Sequence, residues 1–300
     1  MTLFQFGPDR YRADASQDYA LVNQRKLARI VGGVAFGIPI VLLIFSVSPV
    51  YGTCFRDSIS HYYYAQFWGG PFVGALVFIG SFLLVYQGQD IEGAERRLAN
   101  WAGFLALGVA LLPTGGHGCD DGYFEARAMV EFRASPLELL PPVGADTLAQ
   151  LNAGELDVSA LAEGSPYLAQ DLDAHYFQLT ALAPALHYLS AAGLFLILAW
   201  FSLAVFTAVQ PHQRREDGSP TPRKARRNRI YYLCGAVMLI CMAAMGVYSL
   251  LAGDDVWPWW RRINATFIFE AAALVAFGVS WSVKGEMLPW LNETPDAAGG

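Results

Sequence analysis

Apolar residues gather along the chain in six long stretches, each closed by a charged or glycine-rich segment. They run over Ile30–Val50, Phe67–Tyr86, Leu98–Pro113, Leu186–Val209, Ile230–Leu251 and Ile263–Val283. Crossing the ~30 Å hydrocarbon core takes about 20 helical residues, and the lengths of these stretches meet or approach that figure. A lone strand would leave unpaired backbone groups facing lipid, so the pattern predicts six transmembrane helices. The third is the shortest, stopped by "TGG" after Pro113. Within the second, Gly69-Gly70-Pro71 reads as a helix break that opens a polar cavity.

Composition agrees with the pattern. The chain has 300 residues, 54% hydrophobic and 15% charged, whereas soluble domains carry about 25% charged residues. Mean hydropathy is +0.32. A net charge of -6, without a basic face interleaved with aromatics, excludes nucleic acid as a partner. The first 29 residues hold five basic side chains and lead into an apolar run too long for a cleaved secretory signal.

Loop charges set the expected orientation. Fifteen of the 20 basic residues fall in the N-terminal segment, the second loop, the loop at 210–229 and the C-terminal segment; the other loops hold five. By the positive-inside rule both termini are cytoplasmic. The expected fold is an all-α, polytopic bundle of about six transmembrane helices with an acidic, partly helical extracytoplasmic cap. Its divisions are 1–29 (cytoplasmic segment), 30–113 (helices one to three), 114–178 (cap), 179–284 (helices four to six with the basic loop at 210–229) and 285–300 (cytoplasmic tail). The cap carries 11 acidic residues against Arg127 and Arg133. Its leucines, among them Leu137, Leu148 and Leu161, suit short amphipathic helices packed inward. The basic loop suits anionic lipid headgroups.

With that topology the chemically capable residues collect outside. "RDSISHYYY" brings Ser58, Ser60, His61 and Tyr62 to the start of the second helix. "TGGHGCDDGYFEAR" brings His117, Asp120 and Asp121, "QDLDAHYF" brings Asp171 and His175 at helical spacing, and "ALHYLS" brings His187. Arg261 and Arg262 precede the sixth helix, which carries Glu270 about two turns in. A charge there costs roughly 2.5–3.5 kcal/mol on insertion scales unless it faces other helices or a wet cavity. Tyr62, Arg261, Arg262 and Glu270 are therefore the candidate ligand-binding groups. The aromatics of "HYYY" and "WPWW" also suit interfacial anchoring. Cys54 and Cys119 lie in outer loops and are candidates for a disulfide, while Cys234 and Cys241 share a face of the fifth helix as packing residues.

On "RDSISHYYY…FVGALVFIGSFLLVYQG", "LHYLSAAGLF" and "FIFEAAALVAFGVSWSVKGE", the chain resembles a family of bacterial six-helix membrane proteins with an outer Ser-Ile-Ser element. It is more distantly similar to the DRAM/Sfk group. The resemblance implies a six-helix fold in the bacterial inner membrane and no particular reaction. A weaker likeness is to the ceramidase-like membrane hydrolases, which set a serine, an aspartate and three histidines around zinc. This chain lacks the paired histidines of that superfamily's last helix, and has six spans rather than seven.

Three functions follow as expectations. The first is a membrane protein whose outward polar pocket takes a lipid headgroup, a small ligand or a partner subunit, which includes a second copy of the chain. The second is a zinc-dependent hydrolase of a lipid or amide: His61, His117, His175 and His187 supply ligands, Asp120 or Asp121 the base, and Ser58 or Ser60 the oxyanion contact. The third is a proton-coupled transporter with Glu270 as carrier.

Overall fold

The computed structural model describes residues 16–47, 55–65, 68–88, 93–117, 123–124, 128–129, 176–177, 182–210, 213–252 and 257–292. Six long helices organise them: α1 (Ser16–Val47), α2 (Gly69–Val85), α3 (Ala94–Leu111), α4 (Ala183–Trp200), α5 (Pro222–Val247) and α6 (Ala265–Lys284). One π-helical turn, Phe201–Val205, extends α4, and another, Tyr248–Ala252, extends α5. Among the described residues four stretches are long and apolar enough to cross a membrane: Arg25–Val47, Ala183–Val205, Pro222–Leu251 and Ala265–Lys284. Helix α2 is strongly apolar but has 17 residues, about 25 Å at 1.5 Å per residue. Helix α3 opens on Glu95, Arg96 and Arg97, so part of its length is polar.

The helices form a closed ring in which each packs on its sequence neighbour and α6 returns to α1. Neighbouring helices run antiparallel, so the bundle has two ends with different chemistry. One end is basic. There Arg25 pairs with Glu286 at 3.2 Å, Arg29 donates to the Gly285 carbonyl, and Lys224 Nζ donates to the Phe206 carbonyl at 2.7 Å. Thr221 caps α5 by accepting from the Lys224 amide, and Pro222 occupies the first turn, where its missing N–H costs nothing. In the loop before α5, hydrogen bonds from Ser219 hold the Asp217 carboxyl below its ordinary pKa. The core beside this end is aromatic, with Trp281 fully buried among Phe82, Tyr86, Phe201, Phe206 and Phe277.

Two glycine pairs bring helix backbones close together. A Cβ on Gly278 of α6 would stand 2.7 Å from the Gly32 carbonyl oxygen of α1 and 2.8 Å from the Phe36 amide. A Cβ on Gly103 of α3 would stand 2.8 Å from the Gly80 carbonyl of α2. Small residues allow such backbone approach where helix association has no solvent-driven hydrophobic term.

Several expectations need adjustment. Gly69-Gly70-Pro71 is the first turn of α2 rather than a break inside it, a position where Pro is tolerated. Gly69 is required there because its Cβ would meet the Tyr63 carbonyl at 2.5 Å. Gly69→Ala should therefore displace the turn before α2 and lower thermal stability by about 1–3 kcal/mol, the usual cost of overpacking; a thermal unfolding scan checks it against Gly70→Ala, which has open space. Two short antiparallel pairings accompany the helices, Gly116–His117 with Tyr123–Phe124 and Ala128–Met129 with Tyr176–Phe177. The second pair joins residues 128–129 of the long acidic segment to its C-terminal end. The cap helices, with Leu137, Leu148 and Leu161, lie outside the described residues.

Candidate functional site

The end opposite the basic one gathers polar side chains from four elements. After α1 the chain turns through residues 55–59 into a 3₁₀ turn, Ser60–Tyr64. The Asp57 carbonyl accepts from the Phe267 amide at 2.8 Å, fastening this turn to the first turn of α6. Glu270, five residues past Ala265, lies about 7 Å along that helix. Its carboxylate accepts from Ser58 Oγ at 3.0 and 2.9 Å and from the Ile59 amide at 2.5 Å. The carboxylate thus satisfies donors at the start of the 3₁₀ turn, as an N-cap would, but from another helix.

Two histidines flank that turn. The ring of His187, on α4, is held between the Leu112 carbonyl (Nδ1, 2.7 Å) and Ser60 Oγ (Nε2, 3.0 Å). A carbonyl accepts and never donates, so Nδ1 carries a proton and, in the neutral ring, Nε2 offers its lone pair to Ser60. His61 lies between Asp57 Oδ1 (Nδ1, 2.6 Å) and the Gly115 carbonyl (Nε2, 3.2 Å). Both of its partners are acceptors. Tyr64 donates to the Thr114 carbonyl at 3.0 Å, and Thr114 Oγ1 donates to the Tyr188 hydroxyl at 2.9 Å. In this way the Leu112, Thr114 and Gly115 carbonyls at the end of α3 accept from side chains of the 3₁₀ turn and of α4.

Below the cluster a cavity of about 380 Å³ lies between α2, α4, α5 and α6, within the range of small-molecule sites. Its head is polar: Ser60, His187, Thr266 and Glu270. Its walls are apolar, with Phe72, Leu76 and Ile79 on α2, Phe195 and Leu198 on α4, Met242 and Met245 on α5, and Leu274 and Phe277 on α6. Helices α4 and α5 touch near the basic end, where Leu203 fills the space over Gly235 and Phe206 packs on Tyr231 with ring centroids 5.4 Å apart. Towards the polar cluster the cavity separates them, and exposed Tyr188, Ser249 and Leu250 form its rim. Among the described lining residues Glu270 is the one charged side chain; none is Lys or Arg.

The sequence candidates divide accordingly. Ser58, Ser60, His61, His187 and Glu270 do converge. Tyr62 is 1% exposed, shares a hydrogen bond with Ser46 and is absent from the cavity lining, so its hydroxyl serves the junction of α1 with the turn. Arg261 and Arg262 lie on a short helix, Pro258–Arg262, and do not line the cavity. Among the aromatics read as anchors, Trp260 is buried and stacks on Tyr248 at 4.3 Å, whereas Trp259 is exposed. Cys54, Cys119, Asp120, Asp121, Asp171 and His175 fall outside the described residues, and so does the side chain of His117. Cys234 and Cys241 are free and buried.

Of the four proposed zinc ligands, His61 and His187 have both ring nitrogens committed to protein partners. Among the described residues no three His, Cys, Asp or Glu side chains form a group able to hold a metal ion. Sequence reasoning missed Asp57 and the Leu112 carbonyl. Asp57 was within reach, because it precedes His61 by four positions, the same spacing that marked Asp171 and His175. The carbonyl had no signal, since every residue has one. Burial lowers the pKa of the adjacent Arg56 guanidinium from its ordinary value, with Tyr62 and Asp57 acting against the shift.

The chain matches no family model, no curated protein and no solved structure. The fold and site define its class as a membrane protein: a bundle of apolar helices with a cavity whose polar groups lie at one end.

Proposed function

We propose that this protein takes an amphiphile with an uncharged, hydrogen-bonding head from the bilayer into the cavity between α4 and α5. The observation that carries the reading is the lining itself: apolar walls that end at Ser60, His187, Thr266 and Glu270, with a rim at Tyr188 and Ser249 between two lipid-facing helices. An anionic phosphate head would lie beside the Glu270 carboxyl in a low-dielectric site with no lysine or arginine among the described lining residues, so its charge would go uncompensated. A hydroxyl or carbonyl head instead matches the histidine and hydroxyl groups present.

The remaining expectations fit around this reading. The chain spans a bacterial inner membrane with six helices, α2 and α3 completing the set. The basic end faces the cytoplasm, and the acidic segment caps the polar end outside. Partners are membrane lipids, with a second copy or another membrane subunit able to seat on the outer helix faces. The two donors that Glu270 accepts from, the Ser58 hydroxyl and the Ile59 amide, support an anchoring role for it over that of a transported-proton carrier.

Filling the cavity tests the proposal. Ala192 lines it, whereas Leu189 on the same helix is 68% exposed and does not. In detergent, Ala192→Trp should weaken binding of a fluorescent long-chain monoacylglycerol at least tenfold, and Leu189→Trp should leave it unchanged. A lysophosphatidate of equal chain length should compete poorly with the probe. Equal competition by the phosphate lipid, or unaltered binding by Ala192→Trp, would overturn the reading.

A further inference from the structure

We infer that Ser60 and His187 form a nucleophile–base pair that transfers the acyl group of an uncharged long-chain ester held in the cavity. The inference rests on the amphiphile reading above and adds a reaction to it. Four features point the same way. Ser60 Oγ and His187 Nε2 are 3.0 Å apart, within reach for proton transfer. The Leu112 carbonyl on Nδ1 at 2.7 Å fixes the tautomer that leaves Nε2 as base, the orienting role that completes a nucleophile–base–orienter set. Both reacting side chains line the cavity head rather than facing packed protein. The turn that carries Ser60 is clamped by Glu270 through Ser58 and the Ile59 amide, so the hydroxyl is held in place before substrate arrives.

A purely structural Ser–His bond would serve as well in a closed core. Here the pair sits where apolar walls meet hydrogen-bonding groups, and that junction is where an ester carbonyl lies when its acyl chain fills the cavity. In the reaction His187 Nε2 takes the hydroxyl proton as Ser60 Oγ bonds to the carbonyl carbon. The ester C–O bond then breaks, and the departing alcohol oxygen takes the proton from Nε2. Ser60 is left acylated. Water or a second alcohol attacks the acyl carbon, gives its proton to His187, and the released Ser60 oxygen recovers it. No oxidant, reductant or metal enters the balance. Leu112, Ser58 and Glu270 are positioning residues.

The test uses the full chain in detergent with a long-chain alkyl fluorophosphonate, whose chain suits the apolar walls and whose phosphorus traps an activated serine with loss of fluoride. One adduct per chain is expected, mapped to Ser60 by peptide mass spectrometry. Ser60→Ala should abolish it, and His187→Ala should slow labelling by about 10²–10⁴-fold, the usual range for a general base. The wild-type adduct map decides the matter even where His187→Ala fails to fold. A wild-type protein that binds the monoacylglycerol yet forms no Ser60 adduct overturns this inference and spares the amphiphile reading. Absence of monoacylglycerol binding overturns both.

Discussion

Gly278→Val should separate α1 from α6 and leave little folded protein in detergent. The added Cβ alone would stand 2.7 Å from the Gly32 carbonyl oxygen, 2.8 Å from the Phe36 amide and 2.9 Å from Phe36 Cβ. Two of these are backbone atoms inside a helix and cannot turn aside, so the whole of α1 must move outward. That motion opens one of the principal contacts of the ring, into which Val31, Ala35 and Phe277 are buried. Overpacking usually costs about 1–3 kcal/mol and more where the backbone must shift, so a loss of roughly 4 kcal/mol or more is expected. Size-exclusion profiles and thermal scans measure it. Gly33→Val is the control, because nothing lies within 4 Å of its Cβ position and it should behave as wild type. Similar melting of Gly278→Val and wild type would show that the helices do not cross at this point.

Glu270→Ala should be the most damaging change within the polar cluster. It strips the acceptor from the Ser58 hydroxyl and the Ile59 amide together. Each buried donor left without a partner costs about 1–3 kcal/mol. With roughly 2–4 °C of melting temperature per kcal/mol for chains of this scale, a fall of about 5–15 °C is expected. Glu270→Gln keeps one carbonyl oxygen and should lose about half as much. Ser58→Ala removes a donor along with the need for its acceptor, so the double variant Ser58→Ala/Glu270→Ala should be milder than the two single effects added. The same scans with monoacylglycerol present should show reduced stabilisation by ligand in Glu270→Ala, because the turn that carries Ser60 is no longer clamped. A melting temperature equal to wild type would show that Glu270 does not anchor the turn.

Much of this architecture is legible in the chain as written. Each of the six apolar stretches contains most of one long helix, because helix formation in lipid follows from the demand that every backbone group be bonded internally. The boundaries were less legible. Helix α1 starts at Ser16, well before Ile30, and α5 at Pro222, before Ile230; basic and polar residues such as Arg25, Lys26 and Arg226 extend a helix beyond its apolar part because their long stems reach water or headgroups from there. Glu270 was conspicuous for the same reason that its helix was: a carboxylate among apolar neighbours demands a partner. The identity of that partner was not legible. Ser58 and Ile59 precede it by more than 200 positions, and pairing over that distance follows from the ring order of the helices.

Sequence by itself therefore determined that this is a membrane protein, which segments are helical, and which residues would be costly to bury alone. Those properties depend on local composition, and local composition is read directly from the chain. Tertiary structure alone decided that Ser60 faces His187, that the Tyr62 hydroxyl supports the turn, and that Gly69 begins a helix rather than breaking one. Each depends on where one helix end lies against another, and side-chain type alone does not specify that. A serine and a histidine 127 positions apart become a pair because α3 offers the Leu112 carbonyl at the height where α4 presents its imidazole.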